Sequence, residues 1–521
     1  MTISPSRSAK ILPDDSAVAA LSRTGVIDIG SNSVRLVIYE RFGASAVPVF
    51  NEKVLAGLGR DLRRTGRLYP DGVAQALKAL CRFKAIADAQ GLTSIIPVAT
   101  AAMRDAVDGP DFVAAAKAQA GLDIRVLSGE EEAQAAAYGV IHGDKRSDGI
   151  VADLGGSSLE LISVKDTQIG HGETFPVGPF AIMDGPIRPA KILPVLRKAL
   201  ASTKASFSAK GKTLYLVGGA WRNLALIDNA RRRYPLQILH NFSMSPESAM
   251  ELADWASVAA AEDLLTWPGI SRARAETLPY SGLVLKVLLG LLKPSRIVIS
   301  PTGLREGILY QDLSPATRSR VALFDACRHL AAGNMQALNF GEPLFGWLAS
   351  ASALFPRAFE QDAEDRLRRA ACLLVGIGKG LHPDHRADLV FSDVLYAPLA
   401  GLTHKERAYL ALMLYSSYRA GSATPNDAAI DYHLMEREKT AARIYGTAMR
   451  LGAVISGRTA DLLSDFSLTG DESGLSLTVK TGEEAMLNRR GVLRLKKLAD
   501  MIGVSARSNW TVAGGDAESE D

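Results

Sequence analysis

Residues 28–33 read Asp-Ile-Gly-Ser-Asn-Ser, and residues 153–158 read Asp-Leu-Gly-Gly-Ser-Ser. Each follows an apolar run, Gly25-Val26-Ile27 in one case and Gly149-Ile150-Val151-Ala152 in the other. Each leads into a second run, Val34-Arg35-Leu36-Val37-Ile38 and Leu159-Glu160-Leu161-Ile162. The chain therefore twice encodes strand, acidic residue, small-residue turn, strand. A unit repeated in this way predicts two similar half-domains facing one cleft. The small residues Gly30, Ser31, Asn32 and Ser33, and Gly155, Gly156, Ser157 and Ser158, let amides and hydroxyls close on a phosphate. Asp28 and Asp153 add hard oxygen ligands of the kind a divalent cation takes. Together these are equipment for phosphoryl chemistry.

Working outward, strand–helix alternation predicts an α/β lobe over 24–145. Strands are expected at 24–40, 46–55, 94–99 and 123–127. Helices are expected over 71–90, capped by Asp71, over 110–120 and over 131–138. A second lobe, 146–314, opens with a hairpin over 149–164. It continues with a helix near 190–208, a strand at 213–217 before Gly218-Gly219-Ala220-Trp221-Arg222, a helix from Ser245 or Pro246, and a strand at 296–299. Helical spacing then dominates 315–455. Residues 456–513 read as a small α+β region with a strand at 475–479 and a basic amphipathic helix over 488–502. The ends, 1–23 and 514–521, read as a loose tail and a disordered acidic tail.

With 521 residues the chain exceeds one hydrophobic core, so several domains are expected. A net charge of +4 gives no argument for a nucleic-acid partner, and a polyanion would need a local basic groove. Cys81, Cys327 and Cys372 are far apart, which suits reduced thiols better than a disulfide framework or zinc site. No apolar stretch reaches membrane-spanning length, and Leu283–Leu292 is interrupted by Lys286. The expectation is a cytoplasmic protein without a membrane partner.

The paired loops resemble those of the sugar kinase/Hsp70/actin-like superfamily. Asp-Ile-Gly-Ser-Asn-Ser, together with Ser-Gly-Glu-Glu-Glu-Ala at 128–133 and Gly-Leu-Arg-Glu-Gly at 303–307, resembles the exopolyphosphatase/guanosine pentaphosphate phosphatase family. The resemblance implies two actin-like, ribonuclease H-like lobes, a helical HD-like domain, Mg2+ as cofactor and a homodimer. It implies inorganic polyphosphate as substrate, with guanosine pentaphosphate as the alternative. A kinase on the same fold and a non-catalytic alarmone or polyphosphate sensor are further readings; no Gly-x-x-x-x-Gly-Lys-Ser/Thr stretch occurs.

The resemblance also assigns roles. Glu130, Glu131 and Glu132 open a helix, where acids are expected on dipole grounds alone. The family places its catalytic glutamate immediately before the alanine, which makes Glu132 the expected general base. Glu160 is implied as a further magnesium ligand, direct or through water. Arg104 matches a Thr-x-x-x-Arg segment starting at Thr100 and is implied to clamp phosphate. Arg35, alternating with apolar neighbours, points away from the core and toward the cleft. Gly218, Gly219 and Arg222 stand in a third loop, usually Gly-x-Ser-Gly-Thr in the family. There Arg222 would hold an internal phosphate and Trp221 would block or stack on a base. Ser157 replaces a usual glycine, and Leu159 a usual threonine. The HD-like domain reads as degenerate, with Leu374-Val375-Gly376-Ile377-Gly378 in place of a His-Asp pair, and His382-Pro383-Asp384-His385 is a weak metal motif. Arg489, Arg490, Arg494, Lys496 and Lys497 fit a polyanion track and an ordinary solvated helix face equally.

Overall fold

The computed structural model describes residues 21–508, apart from 184, 186, 204–206, 208, 422, 472, 481–486 and 488. Most of the tail expected over 1–23, and all of that over 514–521, lie outside the described residues. Ser22 and Arg23 do not belong to a tail: they already pair with Arg41 and Glu40 in the first sheet.

The first lobe carries β1 (Ser22–Ile29), β2 (Val34–Phe42), β3 (Ser45–Val54), β4 (Ser94–Ala99) and β5 (Arg125–Val126). Their order is β3-β2-β1-β4-β5. The second lobe carries β6 (Asp148–Leu154), β7 (Leu159–Lys165), β8 (Gln168–Phe175), β9 (Thr213–Val217), β10 (Ser243–Met244) and β11 (Arg296–Ile299), in the order β10-β11-β9-β6-β7-β8. In both lobes a three-stranded antiparallel meander continues into parallel strands. The repeat in the sequence is thus a repeat of topology. β8 was not expected from the sequence: Gln168-Ile169-Gly170-His171-Gly172 has no apolar run, because one side of this edge strand faces solvent.

The helix expected over 131–138 runs from Gly129 to Gly143. It packs not within lobe I but between the sheets, against Val151, Ile162 and Val217 of lobe II and Tyr310. Its partner is the helix Leu304–Gln311, whose Leu309 reaches Val26 and Val37 of lobe I. The two helices cross with backbones almost in contact. A Cβ on Gly307 would lie 1.7 Å from the Ala135 carbonyl oxygen, and one on Gly139 would lie 2.2 Å from that of Gly303. Gly139 therefore does not end the helix; it permits the crossing. Gly307→Ala should consequently lower the thermal midpoint of the full chain, in keeping with an overpacking cost of about 1–3 kcal/mol. An unchanged midpoint would mean that the crossing has room to spare.

Asp71 does not cap its helix. Pro70 takes the first position of Pro70–Ala89, and Asp71 accepts a 2.8 Å hydrogen bond from the Tyr69 hydroxyl. The apolar run around Leu283 belongs to the helix Leu278–Leu292, buried in lobe II. Among the described residues no helix is long and apolar enough to cross a membrane.

Beyond Ser314 the chain is helical as expected, with Gln361–Leu373, Arg386–Tyr396, His404–Tyr418, Asp427–His433 and Glu436–Ile455 among its helices. The last sheet, β12 (Phe466–Asp471), β13 (Gly474–Val479) and β14 (Ala506–Ser508), is not a separate body. Leu468, Leu477, Leu495 and Leu498 share one core with Phe340, Leu344 and Tyr409. This half touches both lobes: Asp325 Oδ2 accepts from the Ala44 amide at 2.8 Å, and Arg146 of lobe II donates to Glu406 at 3.2 Å. His382 and Asp384 stand exposed at the surface, 3.7 Å apart.

Candidate active site

Register builds the site. β1 and β2 pair Asp28 with Arg35, and β6 and β7 pair Asp153 with Glu160. Both spacings are seven residues, and in each hairpin the turn returns the second residue directly opposite the first. Each turn is closed the same way, by Gly30 N–H donating to Ser33 O at 3.0 Å and Gly155 N–H donating to Ser158 O at 2.9 Å. The loops meet across the cleft, where the Ser157 hydroxyl donates to Ser31 Oγ at 2.9 Å. Glycine at 157 could not make this link, which gives the departure from the usual family pattern a physical role. Behind the first loop, the Gly57 and Gly59 amides donate to Asn32 O and Ser31 O at 3.0 and 2.8 Å, so the basic loop after β3 buttresses it.

Together these loops line a cleft of about 220 Å3. Its wall also contains Asp28, Asp153, Glu132, Arg35, Gly218, Gly219 and Arg222, all singled out from the sequence, and Lys53, Arg274 and Arg305, which were not given site roles. Gly218 sits at φ +113°, a conformation that favours glycine, and brings the third loop against Asp153. Gly219 already opens the helix Gly219–Arg231.

Trp221 and Arg104 are not among the residues that line the cleft. Trp221 is 1% exposed and packs in the core of lobe II, so it neither blocks nor stacks on a base. Arg104 donates from Nη1 to the Leu127 carbonyl at 3.0 Å and to Glu132 Oε2 at 3.3 Å, so it holds the Glu132 carboxylate.

The acidic triplet is now resolved. Ser128 caps the helix and Glu131 returns the capping box, its Oε2 accepting from the Ser128 amide at 2.8 Å. Glu130 and Glu131 are exposed, whereas Glu132 is 7% exposed and faces the cleft. Burial, reinforced by Asp153, pushes Glu132 up to about 7 against the pull of Arg104. Asp28 and Asp153 open onto the cleft but stand deep between the lobes. Loss of bulk water is the largest influence on both; it raises Asp28 and lifts Asp153 to about 6, although Arg305 and Arg222 pull the other way.

Glu160 is buried at 1% exposure, and neither carboxylate oxygen makes a protein hydrogen bond. It lies behind Asp153 and outside the cleft wall. Burial, with Glu132 and Asp153 nearby, holds it well above the usual carboxylate range. Direct ligation by all three carboxylates is not what the geometry offers: among the described residues no group of three acidic, His or Cys side chains converges as a metal shell. Asp28 and Asp153 remain as two hard ligands facing one space, a set that suits magnesium, which keeps several waters and takes few carboxylates.

Opposite these acids stand cations without protein partners at key atoms. Arg305 Nη1 and Arg222 Nε are buried and unpaired, and Arg305 Nε lies 4.0 Å from Asp28 Oδ2. Glu306 does not enter the cleft. Burial alone would raise it, but Arg305, the Tyr39 hydroxyl and the Gly303 amide bring it below the usual range. In effect it anchors the turn that presents Arg305. The basic C-terminal residues Arg489, Arg490, Arg494, Lys496 and Lys497 are not among the residues lining this cleft.

A profile of the Ppx/GppA phosphatase family matches residues 26–316, and one described as exopolyphosphatase, C-terminal, matches residues 323–508. The first alone spans more than half of the chain: the protein belongs to the Ppx/GppA phosphatase family. The chain is similar to Exopolyphosphatase 1 of Mycobacterium tuberculosis, 24% identical over 304 residues that make up 56% of this chain and 88% of the relative. It is also similar to Retrograde regulation protein 2 of Saccharomyces cerevisiae, 25% identical over 454 residues, 78% of this chain and 74% of the relative. The crystal structure of an exopolyphosphatase from Cytophaga hutchinsonii shares the fold, with a TM-score of 0.52 at 22% identity over 56% of this chain and 97% of that one. The reaction class that accompanies this membership is phosphoanhydride hydrolysis.

Proposed function

We propose that the protein is a magnesium-dependent exopolyphosphatase, releasing terminal phosphate from inorganic polyphosphate with Glu132 as general base. The observation that carries this reading is the placement of one buried, elevated carboxylate, Glu132, on the wall of a cleft built from two phosphate loops. Water beside Glu132 attacks the terminal phosphorus. The new P–O bond forms as the bridging P–O bond breaks, its electron pair leaves on the shortened chain, and the water proton passes to the Glu132 carboxylate. Asp28 and Asp153 would hold the magnesium ion, which supplies charge neutralisation at the phosphate oxygens. Arg222 and Arg305 offer their free N–H groups to the same oxygens. Arg104 positions Glu132, and Glu160, opposite Asp153 in the hairpin register, would reach the ion through water.

The base must be ionised, and its carboxyl is raised, so it is protonated and inactive below the shifted value. kcat/KM should therefore rise with pH through about 7 and level off above it. A flat profile from pH 5 to 8, the range about the value Glu132 takes, would contradict the role given to it.

Guanosine pentaphosphate hydrolysis is the second reading, since the same loops accept any terminal phosphoanhydride. Polyphosphate is favoured because the cleft carries five cations, Arg35, Lys53, Arg222, Arg274 and Arg305, against a single aromatic side chain, Phe180, among its lining residues. Phosphate release from the two substrates, side by side and with or without EDTA, tests the choice. Polyphosphate should be preferred and EDTA should abolish turnover; a reversed preference or metal-independent release would overturn the reading.

A further inference from the structure

Not every cation in the cleft serves the reacting phosphate. Lys53 and Arg274 line it from opposite lobes. Across the first sheet Lys53 on β3 pairs with Arg35 on β2, which pairs with Asp28 on β1. Adjacent strands lie about 4.8 Å apart, so the Lys53 backbone is set off from Asp28 by roughly 10 Å. Partial desolvation, then Arg274 and then Arg35 push the Lys53 amine down to about 8, against the pull of Asp28.

Arg274 is placed by the third loop. A Cβ on Gly219 would lie 2.7 Å from Arg274 Nη2, and one on Gly218 would lie 3.1 Å from Asp153 Oδ1. Asp153, Gly218, Gly219, Arg274 and Lys53 thus follow one another from the reacting end outward. Among the described residues neither Lys53 nor Arg274 has a hydrogen bond or ion pair at its head group. Two like charges facing each other without a counter-charge are unfavourable until an anion enters between them.

We infer that Lys53 and Arg274 form a subsite for the internal phosphates of a linear chain, one cation from each lobe, and that this subsite sets the preference for long polyphosphate. The inference rests on the exopolyphosphatase reading. A chain whose terminal phosphate sits at the two loops carries its next anionic groups outward, into the space between these cations. A nucleoside in the same space would present an uncharged sugar and base, and leave both cations unmatched.

The test is kcat/KM for tripolyphosphate and for long-chain polyphosphate, measured on the full chain and on Lys53→Met, Arg274→Met and Lys53→Arg. Lys53 is exposed to the cleft, so its replacement disturbs no core. In each Met variant the ratio of long-chain to tripolyphosphate kcat/KM should fall about tenfold, the scale of one charge-assisted hydrogen bond, mainly through KM for the long chain. Lys53→Arg should restore most of the ratio. An unchanged ratio in Lys53→Met, or equal losses on both substrates, overturns the subsite while leaving the exopolyphosphatase reading in place. A wild-type protein that hydrolyses no polyphosphate overturns the reading and the subsite together.

Discussion

Replacing Glu132 by Gln should reduce kcat on polyphosphate by about a hundredfold or more, with polyphosphate binding retained. The amide keeps the size of the side chain and a donor–acceptor pair for Arg104, whose Nη1 also holds the Leu127 carbonyl. It removes the one acidic group in the helix start that is both buried and on the cleft wall. The acidic limb of the pH profile should vanish along with the rate, because the group responsible for it is gone. Glu131→Ala is the control. It breaks a capping box on the exposed side of the same helix and should cost about 1 kcal/mol of stability and little rate. The opposite pattern, an inactive Glu131 variant and a normal Glu132 variant, would show that the wrong carboxylate has been given the role.

Asp153→Asn should be at least as damaging, with a loss of roughly a thousandfold or more, about 4 kcal/mol of transition-state stabilisation. Its stability effect should run the other way. The folded protein lifts the Asp153 carboxyl to about 6, so ionised Asp153 is a burden on the ligand-free fold. That burden is absent below the ordinary carboxylate range and complete above about 6. At pH 8 in EDTA the variant should therefore melt no lower than the wild type. At pH 4, where the carboxyl is protonated in the fold, any advantage should disappear. A full-rate variant with unaltered magnesium dependence would leave Asp153 as a turn residue.

Much of this site is written in the chain. The two hairpins are legible because apolar strands, an acid and small turn residues recur in the same order. The seven-residue spacing from Asp153 to Glu160 is less informative by itself, since only the hairpin register shows that the pair faces one way. The choice of Glu132 within its triplet came from the family motif, and the structure supplies the reason: helix rotation buries one of three adjacent acids. Trp221 was misread because a residue in a loop motif was taken to face the loop's ligand, whereas helix Gly219–Arg231 begins earlier and turns the indole inward. A cation near a phosphate site has two possible partners, and the sequence does not show that Arg104 contacts Glu132. Lys53 and Arg274 carry no motif at all. Each comes to the cleft through tertiary placement, one by strand register and one by a short helix whose arginine lies against Gly219. The C-terminal sheet was set apart because its composition changes, yet its leucines complete the helical core.

The most direct measurement is a single turnover of long-chain polyphosphate in water enriched in oxygen-18, with magnesium present. Hydrolysis at the terminal phosphorus predicts one labelled oxygen in each released orthophosphate and none in the shortened chain. Label in the residual chain, or polyphosphate that binds and is recovered intact without labelled phosphate, would contradict the account.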